Sequence, residues 1–224
     1  MTGDEWSSLF PFHFDQRAEH RASLELLRSG DAGREQVEEF IHDRFSHAHH
    51  ADIRHFLPEL LALRDAEGRL LAVAGMRLAE SGPLFLEQYL DEPLEHPVSR
   101  LAGRAVERAE LVEVGNLSSV GAGSARLIII AATWLLAARG LEWVAFTGAA
   151  SLLNSFHRLG LEPLVLARAE AQRLGNEHDD WGSYYAQQPH VFAGNIRHGR
   201  DLLQRGGVFA GLGFPFLNET GHAA

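Results

Sequence analysis

The order of apolar and polar positions divides the chain into a hairpin-rich first half and a β–α second half. In Arg34–Ser46, Val37, Phe40, Ile41 and Phe45 recur at helical spacing, with Glu35, Glu38, Glu39 and Asp43 turned outward. That pattern predicts a helix packed on a sheet by one stripe. His55–Arg64 and Arg69–Ala79 are apolar runs joined by Asp65-Ala-Glu-Gly68, a hairpin turn signal. Leu70–Leu78 is apolar on both faces and reads as a central strand. Pro58 makes the run before it an edge strand or one that starts late. Beyond Ser81-Gly-Pro83, Leu84–Leu90 reads as a strand or a strand-to-helix segment. Asp91–Arg108 reads as partly helical, its start broken by Pro93 and Pro97.

From Glu110 the pattern becomes strand, glycine turn and apolar helix (to Ala138). A strand at Glu142–Thr147, a helix at Ser151–Arg158 and a strand at Leu161–Leu166 follow. Two β–α units after a hairpin-rich half predict a mixed α/β sheet. The helix from 124 to 138 is apolar nearly all round, so it is expected under the sheet. Residues 1–33 are polar apart from Phe10, Phe12 and Phe14, an early strand or a docked segment. Trp181–Tyr185, Pro189 and Gly206–Gly213 carry little periodicity and read as loops or a cover. The expected division is an N-terminal extension at 1–33, a core at 34–170 and a C-terminal cover at 171–224.

At 224 residues there is ample chain for one large core. A formal net charge of −10 argues against a nucleic-acid binder, whose affinity rests on Lys and Arg at phosphates. The absence of Cys excludes disulfides, zinc ribbons and thiol catalysis. Met1–Trp6 lacks the basic start and apolar run of a signal peptide, and Leu127–Ala138 is shorter than the ~20 residues a bilayer span requires. A cytoplasmic protein without membrane insertion is expected.

Chemistry concentrates at Glu110–Ile130. Extended residues hand over to Gly121 and Gly123, and a helix opens near Ser124. Such a turn leaves backbone N–H groups free at a helix N-terminus, where the macrodipole favours an anion. Glu113 lies on that strand, on the side of Leu111, Gly115 and Leu117. Gly115 marks a bulge or a close approach. Two roles are open for Glu113: a base at a cleft, or a structural carboxylate paired with Arg77. Arg77, in an apolar strand, needs a partner: Glu87, Glu113 or a substrate carboxylate. Glu87 and Gln88 are substrate-binding candidates, or surface or structural residues. Trp143 and Phe146 belong to the core or to the wall of a substrate tunnel, and Tyr184 and Tyr185 pack or orient substrate. The histidines of His47–His55 lack a second cluster that would complete a metal site, so solvated or substrate-side roles are expected, with no metal.

Strand, Val-Gly-Ala-Gly and helix, followed by Asn154-Ser-Phe-His-Arg-Leu-Gly-Leu161, resemble the pyrophosphate loop and closing motif of the GNAT acyltransferases. The resemblance implies a mixed, largely antiparallel central sheet flanked by helices. It further implies a thioester donor held at Leu117, Ser118, Ser119, Gly121, Gly123, Ser124 and Asn154. Two departures stand out: Phe156 where the family has Tyr, and Ser118 where it has a basic residue. Gly75–Pro83 and Glu113-Val-Gly-Asn116 are similar to segments of the acyl-homoserine-lactone synthases, which carries over Arg77 and Glu113; their Arg falls at Asn116. Phe56–Leu61, Leu84–Leu90, Glu113–Leu117, Trp143–Thr147 and Trp181–Tyr185 together resemble the thermostable hemolysin family over about residues 40–195.

These resemblances imply an N-acyltransferase that takes its acyl group from coenzyme A or an acyl-carrier protein as co-substrate, with no permanently bound cofactor. The acceptor is a small amine. Glu113 and Glu87 are the catalytic candidates, and Arg77, Gln88, Trp143, Phe146 and Tyr184 line the substrate. The hemolysin name implies lysis as one rival, and the departures at Phe156 and Ser118 leave a catalytically silent GNAT-shaped binding module as the other.

Overall fold

The computed structural model describes residues 10–14 and 22–215; Met1–Trp6, read above for targeting signals, lies outside them. Eight strands form one sheet in the order β1-β2-β3-β4-β5-β6-β8-β7. They are β1 (Phe12–His13), β2 (Ser23–Arg28), β3 (Glu59–Arg64), β4 (Leu70–Leu78), β5 (Leu111–Ser119), β6 (Trp143–Gly148), β7 (Leu164–Arg168) and β8 (His190–Asn195). Every neighbouring pair is antiparallel except β5–β6. This is the mixed, largely antiparallel sheet expected. β3 starts late, at Glu59 just after Pro58, and is no edge strand, because β2 supplies its other partner.

The flanking helices are α1 (Arg34–His49), α2 (Glu95–Ala102), α3 (Ala122–Ala138), α4 (Ala150–His157), α5 (Ile196–Arg205) and the single-turn α6 (Val208–Gly211). α3 buries Ile128, Trp134 and Leu135 against Leu61, Leu63, Ala74 and Val112 on one face of the sheet. Its outer side is covered by α5, α6 and Phe214, which explains its nearly all-round apolarity. Phe12 stacks on Phe214 at 5.0 Å and Phe14 is buried in the same cluster, so the aromatic N-terminal segment is a docked strand. On the opposite face α1 packs Val37 and Ile41 on Leu60 and Val73.

Two expectations change. Leu84–Leu90 is no strand: Phe85–Tyr89 is a tight helical turn, with Leu86 and Tyr89 buried. The tail is also more than a cover, because β8 lies between β6 and β7 and α5 follows it. The apolar run Val191–Ala193 is short, and ladders on both sides make it a strand. Asn195 then caps α5 by accepting the His198 N–H at 2.8 Å.

Candidate active site

The site begins with a defect in β5. Gly75 pairs with Gly115 and Val73 with Ser118, so Ala74 alone opposes Asn116 and Leu117. This is a β-bulge, which bends the strand and increases its twist. Asn116 adopts φ 50°, a conformation Asn tolerates better than most residues. Its side chain accepts the Leu57 N–H at 2.9 Å and donates to the His55 carbonyl at 3.1 Å, tying the segment before β3 to the bulge. Leu57 crosses so closely that a Cβ on Gly115 would stand 3.1 Å from its Cδ1. Gly115 is therefore the close-approach point, and the bulge lies one residue later.

Beyond the bulge the sheet opens. β5 and β6 are paired from Leu111–Trp143 to Val114–Phe146 and no further. From there β5 stays with β4, while Thr147 and Gly148 stay with β8. The gap leads into a cavity of about 490 Å³ whose walls include Gly115–Ser119 and Thr147–Ala149. The cavity reaches both faces of the sheet. On one side Arg44, Phe45, His49, Phe85 and Trp181 line it; on the other Ile129, Ala132, Leu136, Leu161 and Ile196 form an apolar branch.

Glu113 lies one rung before the last β5–β6 pair, lines the cavity and is only 4% exposed. Its carboxylate accepts the backbone N–H groups of Phe85 and Leu86, each at 2.9 Å. Burial pushes its pKa above the usual carboxylate value, against the pull of those two donors and of Arg77. A carboxylate held in this way is oriented, partly desolvated and suited to accepting a proton.

Several sequence candidates converge on the cavity. Leu117, Ser118, Ser119, Phe146 and Tyr184 line it, as do His49 and His55, whereas His47 and His50 are exposed. Phe146 stacks face to face on Phe156 at 4.7 Å, so the residue replacing the family Tyr is an apolar wall. Tyr89, absent from the sequence candidates, also lines it, and its hydroxyl meets that of Tyr185 at 2.5 Å. Burial raises Tyr89 and Tyr184 and pushes Tyr185 up to about 12, so these phenols stay neutral.

Other candidates stand apart. Glu87 is turned away from the cavity and accepts from Leu84 N, Leu94 N and Arg108 Nη1 at 2.9, 2.9 and 2.7 Å. Burial works to raise its pKa, but those three donors bring it below the ordinary value. Gln88 is exposed, and Trp143 is buried in the core with Leu111 and Val191. Arg77 donates to the Pro83 carbonyl at 3.1 Å and pairs with neither expected carboxylate. Asn154 is exposed on α4. Gly121, Gly123 and Ser124 form the solvent-facing start of α3, where Ser124 Oγ accepts the Gly121 N–H at 3.3 Å. Arg44 escaped the sequence reading. The available signal was its position three residues beyond Ile41, on the stripe that α1 buries.

Among the described residues no group of three or more His, Asp or Glu could hold a metal ion. Solved structures share the fold. A coenzyme A-dependent acyl-homoserine lactone synthase, BjaI, solved with MTA, has a TM-score of 0.56 at 16% identity, over 92% of each chain. FeeM, an N-acyl amino acid synthase from uncultured soil microbes, has a TM-score of 0.56 at 12% identity, over 82% of this chain and 95% of that one. The acyl-homoserine-lactone synthase LasI follows at 0.55 and 8%, over 79% and 91%. At these identities the likeness establishes the GNAT-like fold. Comparison with curated proteins finds no match. The thermostable hemolysin family model matches residues 27–200, and the chain belongs to that family.

Proposed function

We propose that the chain is an N-acyltransferase, moving an acyl group from a coenzyme A or acyl-carrier-protein thioester to the amine of a small acceptor. The observation that carries this reading is the gap between β5 and β6, with Glu113 just before the last pair that closes it. A pantetheine arm is an extended chain of amides. The edge of residues 115–119 that β6 does not pair offers it strand-like partners. Backbone N–H groups at the start of α3 would receive the donor's phosphates, with the helix dipole in their favour. The apolar branch beneath α3 and α5 suits an acyl chain, with Phe146 in its wall.

The acceptor arrives as an ammonium ion. Glu113 takes one proton, and the free nitrogen attacks the thioester carbonyl. The C–N bond forms, the C–S bond breaks, and nitrogen sheds its second proton. The leaving thiolate becomes a thiol by taking one proton and the other goes to solvent. Phe156 cannot protonate the thiolate, but a thiolate whose thiol has a pKa of ~8.5 leaves readily enough to receive that proton by relay through water.

A thermal-shift series with coenzyme A, acyl-CoAs and acyl-carrier protein tests donor binding. A donor at a hundred times its Kd stabilises the fold by ~2.7 kcal/mol. No shift with any donor would remove the reading. The family name suggests lysis, so dye-loaded vesicles belong beside that series. No helix of the described residues is long and apolar enough to cross a membrane. The expected release is none, and dose-dependent release would rank lysis first.

A further inference from the structure

The cavity contains a cation that the acyl-transfer chemistry leaves unused. Val37, Ile41, Arg44 and Ala48 recur at helical spacing along α1. Val37 and Ile41 are buried, so Arg44 stands where a helix built only for packing would carry an apolar residue. It lines the cavity, and its Nε is buried without a hydrogen-bond partner. No ion pair among the described residues includes it. Arg34, on the same helix, shows what a structural arginine looks like here: it donates to Glu38 and to the carbonyls of Leu27, Leu57 and Pro58. A half-buried guanidinium without a partner is expensive, and its planar fork matches a carboxylate.

The cavity that Arg44 lines also has an aromatic wall. The Trp181 ring lies 5.7 Å from Phe85, 6.1 Å from Phe45 and 5.4 Å from Tyr184, and all four line the cavity. One cavity therefore presents a buried carboxylate at Glu113, a guanidinium at Arg44 that has no ion pair among the described residues, and an aromatic wall.

We infer that the acceptor is an α-amino acid with an aromatic side chain. Arg44 holds its carboxylate, the wall around Trp181 packs its ring, and its ammonium meets Glu113. The inference rests on the acyl-transfer reading of this cavity and narrows it. The product is an N-acyl amino acid: the amide C–N bond replaces the thioester C–S bond, and the thiol is released. Arg44 recognises a group that does not react, so it is a specificity-determining residue.

The test compares L-phenylalanine and L-tyrosine with phenethylamine and tyramine, which lack the carboxylate. Arg44→Met suits the apolar stripe, so its melting temperature should equal or exceed that of the wild type. Its KM for the two amino acids should rise about 10- to 100-fold, the worth of a charge-assisted bond, with the donor KM and the amine kinetics unchanged. Arg44→Lys should recover part of the loss. Equal losses for amino acids and amines, or a change confined to the donor KM, would overturn the inference while leaving acyl transfer standing. Should no acceptor turn over, calorimetric titration of the same four compounds into the resting protein decides the matter. Amino-acid binding that Arg44→Met abolishes sustains the site without acyl transfer, and no amino-acid binding to the wild type overturns it.

Discussion

Arg77 and Glu113 stand opposite each other across β4 and β5, yet each is bonded elsewhere. Arg77 donates to Pro83, while Glu113 receives the N–H groups of Phe85 and Leu86, so both side chains fasten the same turn to the sheet. Glu113→Gln keeps one acceptor oxygen and turns an NH₂ group toward the second backbone donor. That leaves one buried N–H unpaired, at a cost of ~1–3 kcal/mol. An ion pair with Arg77 would have made the loss larger. Arg77→Gln should leave the acceptor KM unchanged, because Arg77 is outside the cavity wall. Denaturant melts of the two variants, with acceptor kinetics for the second, check both outcomes.

The raised pKa of Glu113 acts on stability and activity in opposite directions. A carboxylate raised on folding favours the protonated folded state. Its contribution to stability is therefore full below the ordinary value of 4.5 and is lost as pH climbs through the folded pKa. Activity needs the ionised form, so kcat/KM should rise with pH through that same pKa, on a limb above 4.5. Glu59 and Glu87, both lowered by their partners, have the reverse effect: their stabilisation is present above 4.5 and lost as pH falls through their folded values. A pH–rate profile whose acid limb sits at or below 4.5, or persists in Glu113→Gln, would contradict this assignment.

Glu87→Ala separates scaffold from chemistry. It removes the acceptor that closes the turn at Leu84 and Leu94 and holds Arg108, which keeps Glu95 at 2.7 Å. The expected cost is ~1–3 kcal/mol of stability, with turnover lowered far less than by Glu113→Gln. Equal turnover losses would restore Glu87 as a catalytic candidate.

Gly121→Asp tests the donor site. Gly121 is extended, at φ −177°, and a Cβ there meets nothing within 4 Å, so the change introduces no strain. Asp is a better helix N-cap than Gly, so stability should hold or rise slightly. Its negative charge at the proposed phosphate position should abolish the acyl-CoA thermal shift. An unchanged shift would move the phosphates elsewhere.

Most of the sheet was legible because β3, β4, β5 and β6 carry long apolar runs bounded by turn residues, and the glycines at 121 and 123 mark where β5 yields to α3. Glu113 was legible as a charge inside such a run. Its partners were not, because Phe85 and Leu86 are reached through backbone N–H groups that no side-chain pattern reports. β8 escaped because its pairing is non-local. Arg44 escaped because a guanidinium on a helix reads as solvated until the wall facing it is known.

Amine-dependent thiol release from an acyl thioester, followed with the product mass, tests the central claim most directly. Wild-type protein should release one thiol for each N-acyl product formed. Glu113→Gln, still folded, should do so ~10²- to 10⁴-fold more slowly, as expected for loss of a general base. Donor binding with no amine-dependent release by the wild type, or full activity in Glu113→Gln, would contradict the account.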